Sequence, residues 1–131
     1  MEKKLISMEA LNNLSFQIIG AAYQVHSTLG PGLLESTYEV CLEYELLKNG
    51  VQVERQKVLP VVYDEMLLDG GYRIDLLVEN SILLELKAVD EIAPIHKAQV
   101  MTYLKLSGQK LALLLNFNVM DMKKGIHRIV L

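Results

Sequence analysis

One cysteine, three prolines and no apolar run beyond core size set the first limits on this 131-residue chain. Cys41 has no second cysteine for an intramolecular disulfide, and the cysteine spacings of a metal site are absent. The longest apolar stretches, Ile18 to Tyr23 and Leu111 to Leu115, fall well short of the roughly 18 residues that crossing a bilayer needs. The opening MEKKLIS begins like a signal peptide, but Glu9, Asn12 and Asn13 interrupt any apolar segment behind it. No block of like charges occurs, so there is no polybasic tail to hold nucleic acid or membrane non-specifically. Internal repeats, linkers and low-complexity segments are missing too. The expectation is one soluble, cytoplasmic domain, residues 1–131, with no membrane contact.

What is present is a globular composition, 51% hydrophobic and 22% charged, which excludes a disordered chain. Residues 1–65 carry five basic and nine acidic side chains, whereas residues 66–131 carry eight and seven. A nucleic-acid partner would therefore need a local basic rim or a divalent metal.

Leu11, Leu14, Ile18, Ala22, Val25 and Leu29 recur at three- and four-residue steps, predicting a helix from about Met8 to Thr28. Gly30-Pro31-Gly32 stops it. A second helix is expected over about Leu33 to Lys48, turning Leu34, Tyr38, Cys41, Leu42 and Leu46 inward, with Asn49-Gly50 closing it. The period then changes. Val51 to Tyr63 reads as extended, with Pro60 at an edge or irregularity, and Asp69-Gly70-Gly71 as a turn. Tyr72 to Val78 and Ile82 to Lys87 read as an antiparallel hairpin around Glu79-Asn80-Ser81. Pro94 opens a third helix to about Leu106. Lys110 to Phe117 reads as a buried strand and Ile126 to Val130 as an edge strand. The order α-α-β-β-β-α-β-β predicts an α/β (α+β) fold, a mixed sheet flanked by helices.

The chemistry concentrates between Tyr72 and Tyr103. Asp75 lies inside one apolar strand, and Glu85 and Lys87 lie inside another. Charges seldom enter such strands unless they are paired or bind an ion. A three-residue loop at 79–81 pairs Val78 with Ile82 and sets Asp75 opposite Glu85, where two carboxylates repel unless a divalent cation lies between them. A two-residue loop would set Asp75 opposite Leu84 and abolish the site. Two acids holding Mg²⁺ or Mn²⁺ beside a lysine suit phosphodiester hydrolysis, because the metal polarises phosphate and acidifies a bound water. Lys87 would orient that water or stabilise transition-state charge. A surface Glu–Lys pair with an incidental Asp is the other reading of the same residues.

Asp75 followed by Glu85-Leu86-Lys87 resembles the core signature of the PD-(D/E)XK nuclease superfamily, with Ile74 where the superfamily name has Pro. Gln99-Val100-Met101-Thr102-Tyr103 resembles the Q-x-x-x-Y motif of its RecB-like branch. Gly32-Leu33-Leu34-Glu35-Ser36-Thr37-Tyr38 resembles the motif that names the GxxExxY family, small prokaryotic proteins of that superfamily. Leu29-Gly30-Pro31-Gly32, Tyr72-Arg73-Ile74-Asp75 and Asn116-Phe117-Asn118 extend the likeness along the chain.

The resemblance implies a restriction-endonuclease-like core. It implies metal ligation by Asp75, Glu85 and the Leu86 carbonyl, with Lys87 as the catalytic lysine. Glu35 would be a further acid acting through water, and Gln99 and Tyr103 would steady Lys87 or contact phosphate. It also implies a nuclease acting on DNA before RNA, or a non-catalytic nucleic-acid or protein binding module that retains the fold. Cutting both strands of a duplex would call for a homodimer, with Ile126 to Leu131 as an edge available for pairing.

The residues bear plainer readings as well. Glu35 sits in a first helical turn, where the helix dipole favours an acid. Tyr38 suits a core ring with its hydroxyl at the surface. Cys41 suits an inert core position, and His26 a structural role. His96 lies one turn before Gln99 and would border the same cleft. Arg73, two before Asp75, would share its strand face. Lys97, Lys105 and Lys110 read as solvated positions before the rim of a phosphate-binding cleft.

Overall fold

The computed structural model describes residues 6–131, so residues 1–5 of the MEKKLIS start lie outside the described residues. Two helices form where the apolar stripes predict them. Helix α1 spans Met8–Leu29 and is capped by the Ser7 hydroxyl, which accepts from the Ala10 N–H at 3.1 Å. Helix α2 spans Glu35–Lys48. Leu11, Leu14, Ile18, Ala22 and Val25 of α1 and Tyr38, Leu42 and Leu46 of α2 are buried together. Two residues depart from the expected inward set. Leu34 precedes α2 and is 75% exposed. Cys41 is only half-buried at the margin of the core.

Seven strands follow among the described residues: β1 (Val53–Val58), β2 (Val61–Tyr63), β3 (Met66–Leu68), β4 (Arg73–Val78), β5 (Ile82–Lys87), β6 (Leu111–Asn116) and β7 (Ile126–Val130). Helix α3, Pro94–Ser107, connects β5 to β6, with Pro94 in its first turn and left-handed Gly108 after its last. The central sheet has the order β1-β4-β5-β6-β7. Among its pairs, β5 and β6 run parallel and the others antiparallel. The helix between them supplies the crossover that a parallel pair requires. Strand β6 is buried throughout and β5 nearly so, since helices cover both faces.

Helices α1 and α2 pack on one side with Leu76, Val78, Leu84, Leu86, Leu113 and Leu115. Helix α3 packs on the other with Ile74, Leu77, Leu83, Ala112 and Leu114. The fold class is thus the expected mixed α+β sheet flanked by helices.

The middle of the chain differs from expectation. Val51 to Tyr63 is not one extended segment. It divides at Pro60 into β1 of the main sheet and β2 of a separate two-stranded hairpin with β3. A short 3₁₀ turn, Met122–Gly125, also precedes β7. No helix among the described residues is long and apolar enough to cross a membrane.

The turn from α1 into α2 sets where Glu35 stands. Gly30 and Gly32 adopt φ of 70° and 97°, which side chains disfavour. Tyr38 braces the turn from below: its hydroxyl donates to the Gly30 carbonyl at 2.7 Å and accepts from the Leu33 N–H at 3.1 Å. Its ring stacks on Phe117, with centroids 4.7 Å apart and planes 11° from parallel. The expected surface hydroxyl is therefore an internal strut, and the ring is fully buried.

Candidate active site

The β4–β5 loop has the three residues Glu79-Asn80-Ser81, with Val78 paired to Ile82. The paired ladder runs to Leu76 and Leu84 and then gives way to side chains. The Asp75 N–H donates to Glu85 Oε1 at 3.2 Å, and the Leu86 N–H donates to Asp75 Oδ2 at 2.9 Å. Each carboxylate accepts a bond from the opposite strand's backbone. Two acids are thereby locked side by side where the strands would otherwise continue to pair.

The strand alternation also breaks here. Ile74 packs on the α3 side with Leu77, although Leu76, two residues along, packs on the other. Opposite Asp75, between the Arg55–Leu76 and Lys57–Ile74 pairs, stands Gln56 with φ 54°. A non-glycine residue in that region is uncommon and strained. Its amide donates to Glu39 Oε1 at 2.8 Å and to Asp75 Oδ1 at 3.3 Å. The Arg55 Nε donates to Glu39 Oε2 at 2.8 Å, an ion pair on the other oxygen. Glu39 is buried.

The electrostatics follow from this crowding. Glu85, 5% exposed, has its pKa pushed up to about 9, first by burial and then by the Asp75 charge, with Lys87 opposing. Glu39 is raised by burial and by Asp75, against the bonds from Arg55 and Gln56. Glu35, at the exposed start of α2, is raised by desolvation and by Asp75 and Glu39, while Lys87 lowers it. Tyr103 is raised by burial and by the nearby Glu85 charge, so its hydroxyl stays a neutral donor. Lys87 is half-buried at the end of β5, and among the described residues it forms no ion pair.

Asp75, Glu85, Lys87, Glu35 and Tyr103 are thus brought into one neighbourhood. Gln99 joins it through its amide, 3.5 Å from the Tyr103 hydroxyl on the same face of α3. Among the described residues no three His, Cys, Asp or Glu side chains gather tightly enough to hold a metal together.

His26 has the structural role expected of it, and His96 and Arg73 are bonded elsewhere. The His26 Nε2 lies 2.7 Å from the Val119 carbonyl and ties α1 to the loop after β6. The His96 Nδ1 accepts from the Ala93 N–H at 2.9 Å and so closes the start of α3. Arg73 is exposed, with its guanidinium on the Tyr72 carbonyl at 3.1 Å.

Sequence reasoning missed Glu39, Arg55 and Gln56. Glu39 had a signal, since it follows Glu35 by four residues on the same helix face. Arg55 and Gln56 had none, because polar residues on an edge strand read as solvated. Asn116 proves structural: its side chain bonds the Val89 N–H and carbonyl at 3.1 and 2.9 Å, fixing the chain just beyond Lys87.

A family model described as the PD-(D/E)XK nuclease superfamily matches residues 12–129. No curated protein and no solved structure matches the chain.

Proposed function

The chain belongs to the PD-(D/E)XK nuclease superfamily, and from that membership and the geometry at Asp75 we propose that it hydrolyses phosphodiester bonds in nucleic acid, DNA before RNA, with Mg²⁺ or Mn²⁺. The motifs at Gly32–Tyr38 and Gln99–Tyr103 support its placement in the GxxExxY family of the RecB-like branch.

The donor set fits such an ion. Mg²⁺ is usually held by one or two carboxylates and keeps several waters, so an acid pair is sufficient. Asp75, Glu85 and the Leu86 carbonyl would hold it, with Glu35 reaching it through water. When bound, the ion supplies polarisation of the phosphate and a more acidic water. Binding requires Glu85 to release the proton that its raised pKa retains, so affinity rises with pH.

The remaining work falls to the chain's own groups. Lys87 brings a positive charge to the acid pair's edge, where it offsets negative charge gathering on the phosphate. Gln99 and the neutral Tyr103 hydroxyl offer donors to non-bridging oxygens. Gln56 holds one oxygen of Asp75 so that the other stays aimed at β5.

The observation that carries this proposal is the reciprocal bonding of Asp75 and Glu85 to each other's strand. The test is cleavage of a mixed panel of DNA and RNA in Mg²⁺ and Mn²⁺. Lys87→Ala should lose turnover by about 10²-fold or more, the scale of one electrostatic stabiliser, while it still binds metal. A wild type that cuts nothing on the panel would leave the non-catalytic binding module.

A further inference from the structure

A cavity of about 730 Å³ opens between α3 and the β2–β3 hairpin. Its size is that of pockets which enclose a small organic molecule, roughly 300–1,000 Å³. Gln99 and Tyr103 belong both to its wall and to the candidate site, and the Tyr103 hydroxyl lies within the electrostatic reach of Glu85 and Asp75. The rest of the wall is chiefly apolar, including Leu68, Tyr72 and Ile95, with the Thr102 hydroxyl among them. Asp69 is the one charged residue lining it, and no lysine or arginine does.

A phosphate has nothing to bind in such a cavity. A flat, uncharged ring with polar edges does: Tyr72 offers an exposed aromatic face, Gln99 offers an amide, and the Thr102 hydroxyl, which donates to the Ala98 carbonyl, offers an acceptor oxygen. The hairpin beside it leaves Tyr63, Leu67 and, across the opening on α3, Ile95 each about 70% exposed. Such an apolar patch marks an interaction surface. The chain as a whole is acidic, with a net charge of −3, and so is poorly suited to grip a duplex through its phosphates.

We propose that this cavity receives an unpaired nucleobase next to the phosphate being cut, so that the substrate class is single-stranded or locally unpaired nucleic acid. The inference rests on the nuclease reading of the neighbouring site. A base within a duplex is stacked on both faces and cannot enter. A base freed from pairing can stack on Tyr72 and present its edge to Gln99 and Thr102, a sequence-tolerant mode of binding. Its 3′ or 5′ phosphate is then directed toward Gln99 and Tyr103, the two residues that the cavity shares with the candidate site.

The test measures binding and cleavage separately. Fluorescence anisotropy in Ca²⁺ compares a single strand carrying 2-aminopurine, the same strand with an abasic residue in its place, and the blunt duplex. The intact strand should bind at least about tenfold tighter than either, the scale of one lost base–aromatic stack, with quenching of the 2-aminopurine. Tyr72→Ala should lose that tenfold and the quenching, and Tyr72→Phe should keep both. Ala98→Trp, which fills the cavity from the exposed side of α3, should weaken the intact strand and spare the abasic one. Equal binding of intact and abasic strands, or preference for the duplex, would overturn the proposal. So would a dimer dispersed by Leu67→Glu with no change in strand binding, because the cavity would then belong to a second copy of the chain. Base-dependent binding without any cleavage in Mn²⁺ upholds the cavity and refutes the nuclease. Cleavage without base dependence does the reverse.

Discussion

Glu85 holds a proton at neutral pH that its unfolded counterpart has lost. Its folded pKa of about 9 lies above the ordinary 4.5, so folding takes up a proton between those values. The associated stability is complete below about pH 4.5 and is lost as pH rises toward 9. Glu35 and Glu39 shift in the same direction and steepen the decline. Urea midpoints of the metal-free protein should fall from about pH 5 to about pH 9, and Glu85→Gln should flatten the profile. A wild-type profile already flat would contradict the burial of that charge. Gln56 makes a second residue-level prediction. Its left-handed backbone costs about 1 kcal/mol for any side chain, so Gln56→Gly should be more stable than Gln56→Ala by about that amount. Equal urea stabilities of the two variants would place Gln56 in ordinary strand geometry. The apposition of Asp75 and Glu85 was legible in the sequence only for a three-residue loop, and the Val78–Ile82 pair decides between that and the two-residue alternative. The Gln56 conformation was not, since nothing about a glutamine in an edge strand announces a positive φ. The inward turn of Glu39 depends on β1 lying under α2, which no local pattern encodes.

At the scale of elements, the Gly30–Leu34 turn depends on a single buried hydroxyl. Tyr38→Phe removes the partner of the Gly30 carbonyl and of the Leu33 N–H at once. Leaving these part-buried polar groups without that partner costs at most about 1–3 kcal/mol, and denaturant unfolding should show a loss within that range with the Phe117 stack retained. A neutral substitution would mean that water reaches the turn. Helix α1 and strands β5 and β6 were legible because each carries an unbroken period or an unbroken apolar run. The β2–β3 hairpin was not. Its turn, Asp64-Glu65, lacks the glycine that usually signals a two-residue hairpin, and Asp64 supplies the positive φ of 56° itself. Its exposed apolar residues read equally as core until the sheet order shows them outside it. Leu34 failed for a related reason: the helix begins at Glu35, two residues after the expected Leu33, so the Leu34 side chain falls on the turn.

At the scale of the whole molecule, the proposed nuclease would have one acid pair per chain and so would cut one strand at a time. Breaking both strands of a duplex therefore needs two copies, and β7 forms an edge of the sheet with Val130 and Leu131 exposed. Any double-strand cleavage should fall on dilution, and Val130→Lys should reduce it while sparing single-strand nicking. Double-strand breaks made by a monomer at any concentration would contradict that. The central claim, that Asp75 and Glu85 are set side by side to share a divalent cation, meets its most direct test in a calorimetric titration of Mn²⁺ at about pH 8. The wild type should bind one ion per chain with release of a proton, seen as a buffer-dependent heat. Lys87→Ala should keep that binding, and Asp75→Ala and Glu85→Ala should lose it. A wild type that binds Mn²⁺ no better than Asp75→Ala would contradict the account.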